Sequence, residues 1–142
     1  MIVKDIFVGK RDNVVTIEPN ADLAAAVKLL AEQRIGAVVI LGADHRIIGI
    51  LSERDIVRAL AEHGPTALNE PVGQVMTRDV KTCSEGDTIE SLMDRMTTGK
   101  FRHMPVVEQG KLVGIVSIGD VVKNRVEEIE REAAALRDYI RQ

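Results

Sequence analysis

The stretch Gly114–Lys123, GIVSIGDVVK, sets the organisation of the whole chain. It occurs a second time as Gly49–Arg58, GILSERDIVR, displaced by 65 positions, with glycine, isoleucine, serine, aspartate and valine identical at aligned places. An apolar run leads into a serine, and an aspartate follows three positions later, which is typical of a buried strand that passes directly into a helix. A strand-to-helix junction that occurs twice predicts a tandem repeat.

Composition narrows the class of protein. The 142 residues suffice for one compact domain, or for two small halves that share a core, and 45% hydrophobic against 2% aromatic residues predicts an aliphatic interior. The net charge of −3 argues against a nucleic-acid binder. The single cysteine excludes an intrachain disulfide and favours the reducing cytoplasm. Without a signal-peptide core or a membrane-length apolar run, a soluble cytoplasmic protein that contacts no membrane is predicted.

Each half of the chain is predicted to run strand, helix, strand, strand, helix. A short element opens each half, at Val3–Phe7 and Val72–Met76, and a brief β-prone segment follows it, at Val14–Ile17 and Val80–Cys83. The later strands are Gly36–Leu41, Ile47–Leu51, Phe101–Val107 and Leu112–Val116, with hairpin turns at Gly42–His45 and Glu108–Gly110. Pro105 predicts an edge strand, or a backbone that meets something other than a strand.

Apolar residues at helical spacing predict the helices. Asn20 is expected to cap the first helix, with Asp22 favourable in its first turn and its end near Gln33. The apolar stripe and its echo in the second half are Leu23, Ala26, Val27 and Leu30, and Ile89, Leu92, Met93 and Met96. The helix after the first repeated junction is predicted to end at the breaker sequence His63–Pro65.

The repeats are predicted at residues 1–66 and 67–124, followed by a helical extension at residues 125–142. The second closing helix should stop near Asn124, yet no glycine or proline follows. Instead, apolar residues continue in steps of four and three, at Val122, Val126, Ile129, Ala133, Leu136 and Ile140. This heptad seam fits either a helix that lies back on its own core or one that crosses to a second subunit, and its length favours the second subunit.

The doubled motif resembles the cystathionine-β-synthase (CBS) domain. FRHMPVV followed by KLVGIVSIGDVVK is typical of the second repeat of that family, and IGAVVI followed by RIIGILSERDIVRAL is similar to the first. The resemblance covers residues 1 to about 124. It implies an α/β (α+β) CBS pair, or Bateman module, standing alone, whose repeats are related by a pseudo-two-fold axis and packed through their sheets. Such pairs generally bind adenosine-containing ligands between the repeats and commonly dimerise.

The repeated serine and aspartate are the first candidates for a ligand site. An ionised carboxylate accepts hydrogen bonds through two oxygens, so Asp55 or Asp120 can hold both hydroxyls of one ribose, and Ser52 or Ser117 can add a bond. The adjacent helix N-terminus suits phosphate. The same spacing also fits a helix capping box that needs no ligand, and the two roles are compatible. Asp120 is the leading candidate.

Basic residues near the two motifs are placed asymmetrically. Arg54 lies inside the first motif, where the second has Gly119, whereas Arg102 and His103 lie on the strand of the second repeat. These cations are candidates for phosphate contacts, although each also fits an ordinary surface position. The two clefts are therefore expected to bind unlike ligands. The remaining candidate contacts are Gly36, Ala37, Pro105, Thr16 and Thr82.

Other chemistry-bearing residues are predicted to be structural. His45 and His63 fall at a turn and a helix end and are expected to face solvent. Cys83 is expected to be a buried hydrophobe, and Met76, Met93, Met96 and Met104 to fill the core. Metal-protease, dithiol, serine-hydrolase and phosphate-loop motifs do not occur, so no metal and no catalytic residue are predicted.

The sequence therefore predicts a regulatory module that binds an adenine nucleotide, with AMP first and NAD(H) or ATP as alternatives. Ligand binding would change the packing of the repeats and signal to an unknown protein effector, and a homodimer is expected. Two other classes remain open. One is an interaction or dimerisation module without a ligand. The other is an enzyme acting on the nucleotide, for which His103 is the candidate base.

Overall fold

The computed structural model describes residues 1–6 and 14–141, which form two compact units. The first-repeat unit comprises residues 14–81, and the second-repeat unit comprises the described residues of 1–13 and 82–142. Helix α1 (Val3–Ile6) belongs to the second-repeat unit and α4 (Val72–Val75) to the first-repeat unit. Each short helix thus packs with the repeat other than the one it opens. Phe7 of the predicted opening element lies outside the described residues.

The first-repeat unit has the predicted order of elements. Its elements are β1 (Thr16–Ile17), α2 (Leu23–Gln33), β2 (Ala37–Leu41), β3 (Ile47–Ser52), α3 (Glu53–His63), a 3-10 turn (Gly64–Asn69) and α4. The strands form a sheet in the order β1-β2-β3, with β1 parallel and β3 antiparallel to β2. The helix predicted to end at His63 does so, and its apolar residues Ile56 and Ala59 are buried.

The second-repeat unit departs from this order at its first strand. Its elements are α1, α5 (Ile89–Gly99), β4 (His103–Glu108), β5 (Lys111–Ser117) and α6 (Ile118–Arg141). The predicted strand Val80–Cys83 is wrong, because only a single parallel bridge forms there, between Cys83 and Val106. In the first repeat Thr16 pairs with Val39, and the equivalent of Val39 is Pro105, which has no N–H to continue the ladder.

The start of α2 also differs from the prediction. Asp22, not Asn20, is the N-cap, and its Oδ1 accepts a hydrogen bond from the Ala25 N–H at 2.8 Å. The backbone N–H of Leu23 donates to the Glu70 carbonyl at 2.9 Å. Because this long-range bond fixes the chain just before the helix, α2 begins later than local sequence indicates.

Each unit has its own aliphatic core. The first-repeat core is built from Leu23, Ala26, Leu30, Val38, Ile40, Leu51, Ile56, Ala59, Ala67, Val72 and Met76. The second-repeat core is built from Val3, Ile6, Cys83, Ile89, Leu92, Met96, Met104, Val106, Val116 and Val121. The prediction that Val27 is buried is wrong, since it is 37% exposed and the neighbouring Leu29 packs against the core instead. The predicted burial of Cys83 and of the methionines is confirmed, with Met93 partly buried.

Helix α6 is continuous for 24 residues and passes the point at which the repeat predicts an end. Only Val121 on this helix is buried. The large seam side chains, from Val122 to Ile140, are 41% to 72% exposed, so they are not packed on the chain's own core. Among residues 1–6 and 14–141, no helix is sufficiently long and apolar to cross a bilayer.

An ion-pair cluster ties the α-amino group of Met1 to α6. That group lies 2.7 Å from Glu128 Oε2, and Arg125 bonds to Glu128 and lies 3.8 Å from Glu90. Hydrogen bonds from the amine and from Arg125 lower the pKa of Glu128. The bond to Glu128 raises the pKa of the α-amino group.

Replacing Glu128 with glutamine is expected to reduce thermal stability most at pH values between the titration of Glu128 and that of the Met1 α-amino group. Because the pKa of Glu128 is lowered in the folded protein, its ionised carboxylate stabilises the fold above the ordinary carboxyl pKa, and this stabilisation is lost as pH falls through the folded pKa. Because the pKa of the Met1 amine is raised, the protonated amine stabilises the fold below its ordinary pKa, and this stabilisation is lost as pH rises through the folded pKa. The melting temperatures of wild type and Glu128→Gln should therefore differ most from about pH 5 to 7 and converge at low pH. At high pH the difference should shrink but persist, because Arg125 stays charged and still holds Glu128. Glu127→Gln, at a position without a polar partner among the described residues, is the control. Identical pH profiles for Glu128→Gln and the control would contradict the assignment.

Candidate functional site

The junction of the first repeat forms a complete capping box. Strand β3 ends at Ser52, and the N–H of Asp55 donates to Ser52 Oγ at 3.4 Å. In return, Asp55 Oδ2 accepts from the Ser52 N–H at 2.9 Å and from the Ser52 hydroxyl at 3.2 Å. The capping interpretation of the motif is confirmed here.

The second carboxylate oxygen of Asp55 is also occupied. The hydroxyl of Thr77 donates to Asp55 Oδ1 at 3.1 Å, and Arg58 Nη1 lies 3.8 Å from the same atom. Thr77 is held in place because its backbone exchanges two 2.9 Å hydrogen bonds with Ile50. Asp55 is 6% exposed. Both of its oxygens are therefore used inside the first-repeat unit.

Sequence reasoning missed Thr77. The residue directly follows the predicted element Val72–Met76, and this position was the available signal. Aligning the two short elements makes Val8 the equivalent in the other half. Val8 has no hydroxyl, and it lies outside the described residues. The sequence thus provides a hydroxyl, that of Thr77, to bond Asp55, whereas the position that would correspond for Asp120 carries the apolar Val8.

The junction of the second repeat is only half of a capping box. Strand β5 ends at Ser117, whose Oγ accepts from the Asp120 N–H at 3.2 Å. The carboxylate of Asp120 does not return a bond, and no donor within the described part of the chain holds it. Asp120 is half-buried. Within the described residues, the carboxylate of Asp120 thus has no side-chain or backbone donor, whereas both oxygens of Asp55 are bonded.

His103, the first residue of β4, and Arg102, which directly precedes it, lie beside this junction. His103 lies directly opposite Ser117 in the antiparallel ladder. The carbonyl of the exposed Arg102 accepts from the Ile118 N–H at 2.8 Å, at the point where β5 becomes α6. These backbone bonds thus hold both residues at the start of the helix that carries Asp120.

The first repeat has the same backbone arrangement with small residues. Ala37 lies opposite Ser52, and the Gly36 carbonyl accepts from the Glu53 N–H at 3.0 Å. The equivalence of the pair Gly36 and Ala37 with Arg102 and His103 is therefore structural as well as sequential. The side chains alone make the two junctions different.

Position 119 leaves space next to Asp120. Among the described residues, a Cβ added to the exposed Gly119 would meet only the Ser117 hydroxyl, at 3.7 Å. The equivalent residue of the first repeat is Arg54, which is exposed. The second junction is consequently open where the first carries a long cationic side chain.

Thr16, Thr82 and Pro105 are the remaining candidates. Thr16 is half-buried opposite Val39, and Thr82 is exposed with its carbonyl accepting from Arg95 at 2.6 Å. Pro105 is buried in β4. The first-repeat unit thus brings together Thr16, Gly36, Ala37, Ser52, Arg54 and Asp55. The second-repeat unit brings together Thr82, Arg102, His103, Pro105, Ser117 and Asp120.

A cavity of about 670 Å³ lies further along α6. It is lined by Met1, Asp5, Asn124, Glu127, Glu128, Arg131 and Glu132. Four carboxylates against one amine and one guanidinium make this cavity unsuited to a phosphate group. It is therefore not assigned to the candidate site.

Other reactive groups do not extend the site. Burial raises the pKa of the Cys83 thiol to about 12, so the nucleophilic thiolate is scarce. His45 and His63 are exposed, as predicted, and His63 lies 2.8 Å from Glu70. Over residues 1–6 and 14–141, no cluster of three His, Cys, Asp or Glu residues could hold a metal ion.

Comparison with known proteins identifies the family. The sequence model of the CBS domain matches residues 3–62 and 72–127. An uncharacterized 17.7 kDa protein of Acidianus ambivalens is 37% identical over 111 residues, which are 78% of this chain and 66% of that protein. The mitochondrial CBS domain-containing protein CBSX3 of Arabidopsis thaliana is 34% identical over 81% of this chain and 58% of its own. The chain thus spans less than two thirds of each relative.

Solved structures agree with this assignment. The CBS-domain containing protein ATU1752 from Agrobacterium tumefaciens is 45% identical, with a TM-score of 0.83 over 87% of this chain and 92% of that chain. The CBS domain pair of protein MJ0100, in complex with 5′-methylthioadenosine and S-adenosyl-L-methionine, is 26% identical, with a TM-score of 0.79 over 90% and 98% of the two chains. The chain belongs to the CBS domain family, of which it carries two repeats.

Proposed function

We propose that the protein is a regulatory module that binds an adenine nucleotide through the carboxylate of Asp120. One observation carries the proposal: this carboxylate is unbonded within the described residues, whereas its repeat equivalent Asp55 is buried and bonded at both oxygens. A half-buried carboxylate beside a serine hydroxyl matches the two adjacent hydroxyls of a ribose.

The surrounding residues suit the rest of a nucleotide. Arg102 supplies positive charge and His103 a ring nitrogen for phosphate, and the N-terminus of the 24-residue helix α6 adds to the positive potential. Thr82 and Pro105 are proposed to contact the base. Likeness to a CBS pair solved with two adenosine compounds supports this ligand class. AMP is the first candidate, with NAD(H) and ATP as alternatives.

The first-repeat residues are proposed as a second, weaker site. A ribose at Asp55 would have to replace the hydrogen bonds from Ser52 and Thr77, which are already formed. Such replacement lowers the net gain on binding, because bonds are exchanged and not added. Arg54, Gly36, Ala37 and Thr16 would line this site. We therefore expect the two repeats to bind with different affinities.

The proposed output is a change in conformation that a protein effector detects. The chain is further proposed to act in the cytoplasm as a homodimer. Its single cysteine is buried and free, as expected in a reducing compartment.

Titration calorimetry with AMP, ATP and NADH tests the ribose assignment. The variant Asp120→Asn keeps the shape of the side chain but loses its charge, and it should bind roughly 10- to 100-fold more weakly than wild type. Ser117→Ala, which keeps the carboxylate, should lose less. Unchanged thermal unfolding of both unliganded variants would show that folding is intact. Equal affinity of Asp120→Asn and wild type for all three nucleotides would remove Asp120 from the site.

The exposed seam of α6 favours one alternative, an interaction module that binds no ligand. That alternative predicts no change in unfolding with any adenosine compound. A ligand at 100 times its dissociation constant should instead stabilise the protein by about 2.7 kcal/mol. If the protein were an enzyme using His103, nucleotide incubated with excess protein would be recovered altered.

A further inference from the structure

The seam of α6 has the geometry of one half of a coiled coil. Its apolar residues occupy alternate d and a positions over about two and a half heptads, a length of about 27 Å. They are Val122, Val126, Ile129, Ala133, Leu136 and Ile140. All six are exposed in the isolated chain. An apolar stripe of this length lacks a partner within the part of the chain that the structure describes.

The charges beside the seam are complementary to those of the same helix in parallel orientation. In a parallel pair, each g residue faces the e residue five places later on the other helix. Arg125 then faces Glu130 of the partner subunit, and Glu132 faces Arg137 of the partner subunit. Both contacts pair opposite charges, and symmetry makes each occur twice.

An antiparallel pair would place like charges together. With apolar layers matched along the whole seam, Glu130 faces Glu130 of the partner subunit and Glu132 faces Glu132 of the partner subunit. Lys123 faces Arg137 of the partner subunit. Like charges at these positions disfavour association, so the sequence of the helix discriminates between the two orientations.

We propose that α6 pairs in parallel and in register with α6 of a second copy of the chain, through residues 122–140. A second copy is the occupant because the flanking charges complement the helix itself. Within each chain Arg125 is also held by Glu90 and Glu128, so Glu132 and Arg137 are the pair that sets the orientation.

Disulfide cross-linking of the full chain tests the orientation. The only native thiol, Cys83, is buried and has its pKa raised to about 12, so an engineered cysteine on α6 is the sole reactive one. Ile129→Cys should form a dimer under mild oxidation, because a parallel in-register pair sets position 129 against itself. Asp138→Cys, on the opposite face of the helix, is the matched control. In an antiparallel pair with the apolar layers matched along the whole seam, Ile129 would face Ala133 of the partner subunit and not Ile129 of the partner subunit. Absence of the Ile129→Cys dimer, or an equal yield from the control, would overturn the proposal.

Charge reversal provides a second test by sedimentation equilibrium of the full chain. Glu132→Lys and Arg137→Glu should each weaken the dimer roughly fivefold or more, since each creates two like-charge contacts. The double variant should restore the wild-type constant. In an antiparallel pair, Glu132→Lys only replaces one like-charge contact with another and leaves the constant unchanged. That result, or a wild-type chain that stays monomeric at the highest concentration reached, would also overturn the proposal.

Discussion

Replacing Asp55 with alanine is expected to lower the free energy of unfolding by about 2–4 kcal/mol, whereas Asp120→Ala should cost less than about 1 kcal/mol. The two residues occupy the same place in two copies of one motif. Loss of Asp55 removes one half of a capping box and leaves the Ser52 N–H and the Thr77 hydroxyl without their acceptor. Loss of Asp120 removes the carboxylate at position N3 of α6 but leaves the cap from Ser117 in place. Among the described residues, no hydrogen-bond donor loses its acceptor.

Urea denaturation of the two variants measures this difference directly. Asp55→Asn serves as a matched control, because it preserves the volume while weakening the charge-assisted bonds, and it should fall between wild type and Asp55→Ala. Thr77→Val removes one hydroxyl without a cavity and should cost about 1 kcal/mol. A double-mutant cycle of Asp55→Ala with Thr77→Val should show coupling. Equal costs for Asp55→Ala and Asp120→Ala would contradict the structural asymmetry.

This asymmetry shows what the sequence could and could not predict. The repeat, the strand-to-helix junctions, the helical stripes and the serine cap follow from short-range patterns and were predicted. The bond from Thr77 to Asp55 joins residues 22 positions apart, and no local pattern specifies it. For the same reason the exchange of α1 and α4 between the units was not foreseen. Long-range backbone contacts decided both features.

Two local predictions failed because tertiary contacts overrode propensity. Asn20 is a good N-cap residue, but the hydrogen bond from Leu23 N–H to the Glu70 carbonyl fixes the start of α2 at Leu23, and Asp22 is therefore the N-cap. The β-prone segment ending at Cys83 pairs only once, because its partner strand carries Pro105. His103, in contrast, lies on its strand opposite Ser117 as the repeat predicts, whereas Arg102 directly precedes β4.

Gly49→Ala is expected to lower the free energy of unfolding by about 1–3 kcal/mol, and Gly49→Val by about 3 kcal/mol or more. Gly49 opens the first repeated motif, and its importance is steric. A Cβ built there would lie 2.3 Å from Met76 Sδ, 2.8 Å from Met76 Cγ and 3.0 Å from the Thr77 carbonyl oxygen. The methionine side chain can move, but the Thr77 carbonyl is held by its hydrogen bond from Ile50.

Gly86→Ala is the matched control for thermal and urea unfolding. A Cβ on Gly86 would meet no atom of residues 1–6 and 14–141 within 4 Å, so this change should alter stability by no more than about 0.5 kcal/mol. A Gly49→Ala variant as stable as Gly86→Ala would refute the packing argument. The double variant Gly49→Ala with Met76→Ala should lose less free energy of unfolding than the sum of the two single variants, because the shorter side chain at position 76 no longer clashes with the Cβ at position 49.

The same contact connects the first residue of the motif to its aspartate. Gly49 lets the segment at Met76 and Thr77 approach β3, and that approach sets the Thr77 hydroxyl on Asp55. Displacing Thr77 through Gly49→Ala should therefore release one oxygen of Asp55 as well as destabilise the unit. If Asp55 is withheld from ribose by this bond, nucleotide binding at the first repeat should tighten in Gly49→Ala while binding at Asp120 stays constant. Calorimetry of Gly49→Ala in an Asp120→Asn background isolates that effect, and unchanged first-repeat affinity would show that Thr77 does not restrict the site.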